Sequence, residues 1–161
     1  MLVEARRAAR NERGQRGRGG IEPTADVYPV MRIAYPAAFL LMIGEGFWRY
    51  AQGAAPDMRF ATIGLALFAA AKALKWWAIL SLGPAWTFRV IVVPGAAQVA
   101  GGPYAYLRHP NYVAVVLELA AIALTAGARV SGPVVTLGFG VLIMRRIVVE
   151  ERALQRARAA R

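Results

Sequence analysis

The chain has no cysteine and a single histidine, His109. Disulfides and thiolate metal centres are excluded, and one imidazole is a poor start for a zinc site. Acids are scarce: nine Asp and Glu stand against twenty Lys and Arg, for a net charge of +11. No G-x-G-x-x-G run follows a strand, so a soluble Rossmann enzyme has no support. There is no P-loop, and no serine–histidine–acid set is evident.

Apolar residues make up 58% of the chain, against about 45–50% in a typical soluble domain. The cations gather at the ends, with six arginines in residues 1–18 and six in residues 145–161. A nucleic-acid binder would carry them on a polar folded face. Basic ends around an apolar middle describe a membrane protein with the bilayer, not nucleic acid, as its partner. Residues 1–26 mix Arg with Glu, Gly and Asn and read as a disordered basic tail. That tail is either simply solvated or an anchor for anionic lipid. It does not read as a signal peptide, because no apolar core follows the charges at once.

Residues 27–161 read as one all-α integral membrane domain of about four transmembrane helices, at 27–48, 60–80, 110–126 and 130–149. A span takes about 20 residues, so the third is short. The tail, the loop from Ser81 to Arg108 and the C-terminus hold most cations. Four crossings put all three on one side, the cytoplasmic one, of what is expected to be a bacterial inner membrane. Trp76 and Trp77 beside Lys72 and Lys75 have the look of an interfacial belt reaching for headgroups. The loop has its own short β-prone run, Arg89 to Val93, and is long enough to expect function of it.

Two polar clusters flank the last apolar hairpin. The first is Gly102-Pro103-Tyr104-Ala105-Tyr106-Leu107-Arg108-His109-Pro110-Asn111-Tyr112. Pro110 suits the first position of a helix and His109 its cap. Free N–H groups beside Arg108 and His109 favour an anion, and the tyrosines offer faces to a flat base or a sulfonium. A tyrosine-lined basic interface is the plainer alternative. The second cluster is Arg145-Arg146-Ile147-Val148-Val149-Glu150-Glu151. Arg146 and Glu150 share a helix face. They form either a surface ion pair or an anchor for an anionic oxygen beside a carboxylate for a cofactor. Glu118 falls about 12 Å into the third span at 1.5 Å per residue, on one stripe with Asn111. A carboxylate at such depth marks a site or a paired charge. It lines a substrate pocket or pairs with Lys72, Lys75 or Arg145. Glu45, four residues before Arg49, reads as a local ion pair.

Together the clusters resemble the isoprenylcysteine carboxyl methyltransferase family and its bacterial relatives. The family pattern is Gly-x-Tyr-x-x-x-Arg-His-Pro-x-Tyr, an apolar hairpin, then Arg-x-x-x-Glu-Glu-x-x-Leu. Gly102, Tyr104, Arg108, His109, Pro110 and Tyr112 match the first part, and Arg146, Glu150, Glu151 and Leu154 the second. The resemblance covers about the last half of the chain. It implies S-adenosyl-L-methionine as methyl donor, held in a cytoplasmic loop and C-terminal helix by Val99, Tyr104, His109, Pro110, Tyr112 and Glu150. It implies Arg146 as the catalytic anchor of the acceptor, with Asn111 and Glu118 on the substrate side. Where the family has His-x-Leu-Val, this chain has Ala96-Ala97-Gln98-Val99, and only Val99 agrees. Asn111, Val113-Ala114 and Glu118 look like a bacterial branch linked to polyketide-derived lipids such as alkylpyrones. The expected function is O-methylation of a carboxylate or acidic hydroxyl on a lipophilic small-molecule or prenylated acceptor. A phospholipid N-methyltransferase and a small membrane scaffold or transporter subunit are the alternatives.

Overall fold

The computed structural model describes residues 2–159. It is helical throughout: α1 (Leu2–Gly17), α2 (Tyr28–Ala51), α3 (Met58–Leu82), α4 (Pro110–Ala126) and α5 (Ser131–Ala159). Short 3₁₀ turns at Gly83–Ala85 and Gly102–Ala105 punctuate the long loop. No strand is present among the described residues; the β-prone run reduces to one antiparallel bridge between Ile21 and Val92. Three helices are long and apolar enough to cross a membrane: Tyr28–Ala51, the stretch Met58–Ala85, and Ser131–Ala157. α4 is apolar but only 17 residues long.

The outer faces of the long helices expose Leu40, Leu41, Phe47, Phe60, Leu65, Leu137 and Met144. Such a surface would not stay monomeric in water and suits lipid. The interior is built around α4, which packs most extensively on α3 and also against α5 and α2. Met42, Leu119, Phe139 and Ile143 fill the space between α2, α4 and α5. Lipid tails are as apolar as these side chains, so helices associate in lipid by close packing. Glycines allow it here. Gly64 of α3 lies against α4, and a Cβ there would fall 2.7 Å from the Ala121 carbonyl oxygen and 2.8 Å from the Thr125 nitrogen. Gly46 of α2 and Gly132 of α5 meet α4 at Ala126 and Ala123 in the same way. Gly64→Ala should therefore cost about 1–3 kcal/mol, the usual penalty for overpacking. Gly138→Ala, at a position with open space around it, should be neutral or stabilising by about 0.5–1 kcal/mol. Thermal unfolding of the two variants in detergent reads the difference directly; equal midpoints would refute the close-packing account.

Helix ends are held locally at α3 and α4 and from across the fold at α5. The Asp57 carboxylate accepts from Arg59 N–H at 2.8 Å and starts α3. α4 stops at Gly127, which takes the left-handed conformation at φ 63°. Glu45 does not serve as the local partner of Arg49 expected from its spacing. Its carboxylate accepts from Val130 N–H at 3.0 Å and from the Ser131 N–H and hydroxyl at 2.6 Å each. A residue of α2 thus caps α5.

The largest departure from the sequence reading is the tail. Residues 2–17 are not disordered but form α1. Its composition is rich in Ala, Arg, Glu and Gln, all good helix formers. Glu4, Ala8, Asn11 and Gln15 are buried, and their spacing puts them on one stripe. That stripe is mostly polar, so no hydropathy pattern announced it. Ala8 packs on Ile79 and Trp86. Asn11 Nδ2 donates to the carbonyls of Gly83 at 3.0 Å and Trp86 at 2.8 Å. Gln15 Nε2 donates to those of Pro84 at 3.1 Å and Ala85 at 2.9 Å. α1 thereby satisfies the carbonyls that the break after α3 leaves open. Segment 18–27 then runs along the loop, with Glu22 bonded to Arg16 at 2.8 Å and Arg89 at 2.5 Å. Burial works against the Glu22 charge, but these two cations outweigh it and hold the carboxyl below its usual range.

Candidate active site

A cavity of about 490 Å³ opens where α1, α2, α3, the long loop and the ends of α4 and α5 converge. Its lining falls into stripes dictated by helix periodicity. α2 contributes Tyr28, Met31 and Tyr35; α4 contributes Asn111, Tyr112 and Val115; α5 contributes Phe139, Arg146, Glu150 and Leu154. The loop adds Trp86, Phe88, Tyr104 and His109, and α1 adds Glu4.

Arg146 ties these elements together. It is only 6% exposed. Its Nε donates to the Tyr112 hydroxyl at 2.8 Å, and one Nη donates to the Phe88 carbonyl. The other Nη lies 3.4 Å from Asp26 Oδ1. Asp26 in turn accepts from the Val90 N–H at 2.9 Å and the Tyr28 N–H at 3.0 Å. The guanidinium has more N–H groups than these partners use. The Tyr112 hydroxyl in turn donates to Glu150, at 2.7 Å. Arg146, Tyr112 and Glu150 are thus one hydrogen-bonded row rather than the direct Arg146–Glu150 pair that their spacing offered.

His109 precedes α4 as expected, and Pro110 fills the first helical position, but the imidazole makes no capping bond. Its ring stacks on Tyr112 with centroids 5.5 Å apart. His109 Nε2 and Asn111 Oδ1 are buried without a hydrogen-bond partner. Unpartnered buried polar atoms are costly, and two of them at the wall of one cavity mark a place where a polar ligand would be welcome. Burial raises the Tyr104 phenol above its usual range, and Glu150 adds to the effect. Tyr104 therefore stays neutral and a donor. Arg108 is 82% exposed at its side chain and sits 3.4 Å from Glu151.

The structure thus brings Tyr104, His109, Asn111, Tyr112, Arg146 and Glu150 to one cavity. Val99 and Pro110 are outside its lining: Val99 is half-buried in the loop, and Pro110 is buried beneath the first turn of α4. Glu118 is 0% exposed and reaches the cavity only through others. It lies 2.9 Å from Lys72 Nζ and 3.2 Å from Lys75 Nζ, and it accepts from the Tyr35 hydroxyl. Lys72 and Lys75 therefore point inward to a carboxylate and not outward to headgroups. Sequence reasoning missed Asp26, Tyr28, Tyr35 and Trp86. Tyr28 and Tyr35, seven apart, gave a signal, since that spacing returns to the same face of a helix.

The family model for isoprenylcysteine carboxyl methyltransferases matches residues 63–156. The chain belongs to the isoprenylcysteine carboxyl methyltransferase family. It is also 32% identical over 148 residues to the uncharacterised protein YpbQ of Bacillus subtilis (strain 168), a match covering 92% of this chain and 86% of that protein. No solved structure matches it. The methyltransferase match takes in both cavity-lining clusters and the two lysines of α3, but leaves out α1 and the whole of α2. Glu4, Tyr28 and Tyr35 therefore belong to a part of the cavity wall that lies outside the family's matched region.

Proposed function

We propose that the protein is an S-adenosyl-L-methionine-dependent O-methyltransferase of the membrane. Its acceptor is the carboxylate or acidic hydroxyl of a lipid-like molecule, of isoprenylcysteine or alkylpyrone type. The observation that carries this reading is the convergence of His109, Asn111, Tyr112, Arg146 and Glu150 on one cavity, with His109 Nε2 and Asn111 Oδ1 buried without a hydrogen-bond partner and Glu151 Oε1 3.6 Å from the imidazole nitrogen.

These residues fit the cofactor. Tyr104 and Tyr112 offer aromatic faces suited to a sulfonium. Glu150 is an acceptor for a hydroxyl or ammonium, and His109 Nε2 and Asn111 Oδ1 are open to hydrogen bonds. When bound, the cofactor supplies a methyl carbon on a sulfonium: the oxygen–carbon bond forms as the carbon–sulfur bond breaks and leaves its electron pair on sulfur. An acidic acceptor oxygen is already ionised near neutral pH, so no strong base is needed. The protein's part is to orient that oxygen and keep water away. Arg146, tied to the Tyr112 hydroxyl and the Phe88 carbonyl, is fixed in place to hold an anion. Met31, Trp86, Phe88, Val115 and Phe139 form apolar wall around it.

We place four crossings in the bilayer, α4 being the fourth, with both termini cytoplasmic. The Ile21–Val92 bridge, the Arg146–Asp26 contact and the Arg108–Glu151 pair bring the segment before α2, the long loop and the C-terminal part of α5 to one end. The Glu45–Ser131 contact lies at the other. An even number of crossings accounts for both. The test is calorimetric binding of S-adenosyl-L-methionine to detergent-solubilised protein. Wild type should bind, and His109→Ala and Glu150→Ala should each bind at least about tenfold more weakly, a loss of about 1.4 kcal/mol. No binding by folded wild type would overturn the reading and bring the scaffold or transporter alternative forward.

A further inference from the structure

The inner wall of the cavity carries a second set of charges that the cofactor end does not use. Lys75 is 4% exposed and lines the cavity together with Glu4 and Tyr35. Its Nζ lies 3.2 Å from Glu118 Oε2 and 3.5 Å from Glu4 Oε2, and 5.3 Å from the centre of the Tyr35 ring. Lys72 Nζ stands 2.9 Å from Glu118 Oε1 and 3.8 Å from Glu4 Oε1. Two ammonium groups face two carboxylates, and the cluster is neutral as a whole.

The two carboxylates differ in how they are held. Glu118 sits in the middle of α4, fully buried, with the Tyr35 hydroxyl as an additional donor. It cannot leave without dismantling the helix packing. Glu4 sits near the start of α1, and the contacts that fix α1 come after it, at Ala8, Asn11 and Gln15. Displacing the first turn would break the Glu4 ion pairs and leave those later contacts intact. Once it is displaced, Lys72 and Lys75 share Glu118 alone, and the buried cluster carries one uncompensated positive charge. Such a charge is strongly unfavourable, so the cluster requires an anion from one source or another.

We propose that Lys75 recognises the acceptor's anionic group together with Arg146, both of them lining the one cavity, and that Glu4 of α1 occupies the position at Lys75 which that group takes over. The inference rests on the methyltransferase reading and adds the basis of acceptor choice. The headgroup must be negatively charged to displace Glu4, and a neutral molecule with the same tail cannot. Methylation turns the anionic oxygen into a neutral ether or ester. The product thereby loses its hold on Lys75, Glu4 returns, and the same exchange that admits acceptor expels product.

The test uses the full chain in detergent and equilibrium dialysis of two radiolabelled probe pairs. One pair is a long-chain 4-hydroxy-2-pyrone and its O-methyl ether; the other is N-acetyl-S-farnesylcysteine and its methyl ester. Wild type should bind the anionic member of at least one pair ten times more tightly than the neutral member. Glu4→Gln should tighten the anionic probe about tenfold and leave the neutral one unchanged. Lys75→Met should abolish the preference. If Lys75→Met fails to fold, judged by its helical circular dichroism, Lys75→Met with Glu4→Gln removes one charge of each sign and should lack the preference too. Absence of charge preference in wild type for both pairs overturns the proposal, as does unchanged anionic binding in Glu4→Gln. S-adenosyl-L-methionine calorimetry on the same preparations separates the two ideas. Cofactor binding without charge preference defeats only the Lys75 assignment. Charge preference without cofactor binding defeats only the methyltransferase reading.

Discussion

Arg146→Met should abolish methyl transfer and also lower stability by about 3–5 kcal/mol, the range for removing one partner of a buried charge pair. The reason is the number of elements that one guanidinium joins. From α5 it reaches Tyr112 of α4, the Phe88 carbonyl of the loop and Asp26 ahead of α2. With Met in its place, the buried Asp26 carboxylate loses its cation and the Tyr112 hydroxyl loses its donor. Arg146→Lys separates the two consequences. A lysine retains the charge for Asp26 but not the planar fork that serves three partners at once. Its thermal midpoint should lie much closer to wild type than to Arg146→Met, while its turnover should fall about 10²–10³-fold, as for loss of a preorganised electrostatic donor. Unfolding scans and a tritiated-methyl transfer assay on the pair measure both. Should Arg146→Lys turn over at the wild-type rate, the fork has no part in holding the acceptor.

Glu118→Leu should be the most destabilising single change on the inner wall. It removes a carboxylate with no exposure from between Lys72, Lys75 and Tyr35. Two ammonium groups then share Glu4 alone, at 3.5 and 3.8 Å. Loss of one member of a buried ionic group costs about 3–5 kcal/mol. Adding Lys75→Met should recover part of that loss, because the excess cation disappears with its lysine. The double variant should therefore be more stable than the sum of the singles, by about 0.5–3 kcal/mol for residues in contact. Thermal midpoints of the three proteins decide it; strict additivity would mean that Glu118 and Lys75 do not interact.

The parts of the molecule legible in the sequence were those written in local pattern. Apolar runs gave α2, α3, α4 and the membrane part of α5 to within a few residues. Hydropathy alone overlooked the continuation of α5 to Ala159. The convergence of His109, Tyr112, Arg146 and Glu150 was legible because these residues lie in two short clusters, with Pro110 opening α4. The inner end was not, because its partners are distant in the chain. Glu118 pairs with Lys75 across 43 residues, and Glu4 reaches the same lysine from α1. Glu118 alone could be flagged, by the cost of its burial, with Lys72 and Lys75 among its possible partners. α1 was invisible for a related reason. Its docking stripe is Glu4, Asn11 and Gln15 around one alanine, and it is held by loop carbonyls that exist only after α3 has ended.

The cap that Glu45 places on α5 bears on how the protein is made. α2 leaves the ribosome before α3, α4 and α5. The opening turn of α5 has its N–H groups answered by a carboxylate that entered the bilayer three helices earlier. Until α5 arrives, that carboxylate has neither Ser131 nor the Val130 N–H. The growing chain therefore holds the Glu45 carboxylate without these partners until α5 follows. Completion of the bundle is then registered at a single contact, at the end of α2 farthest from the cavity.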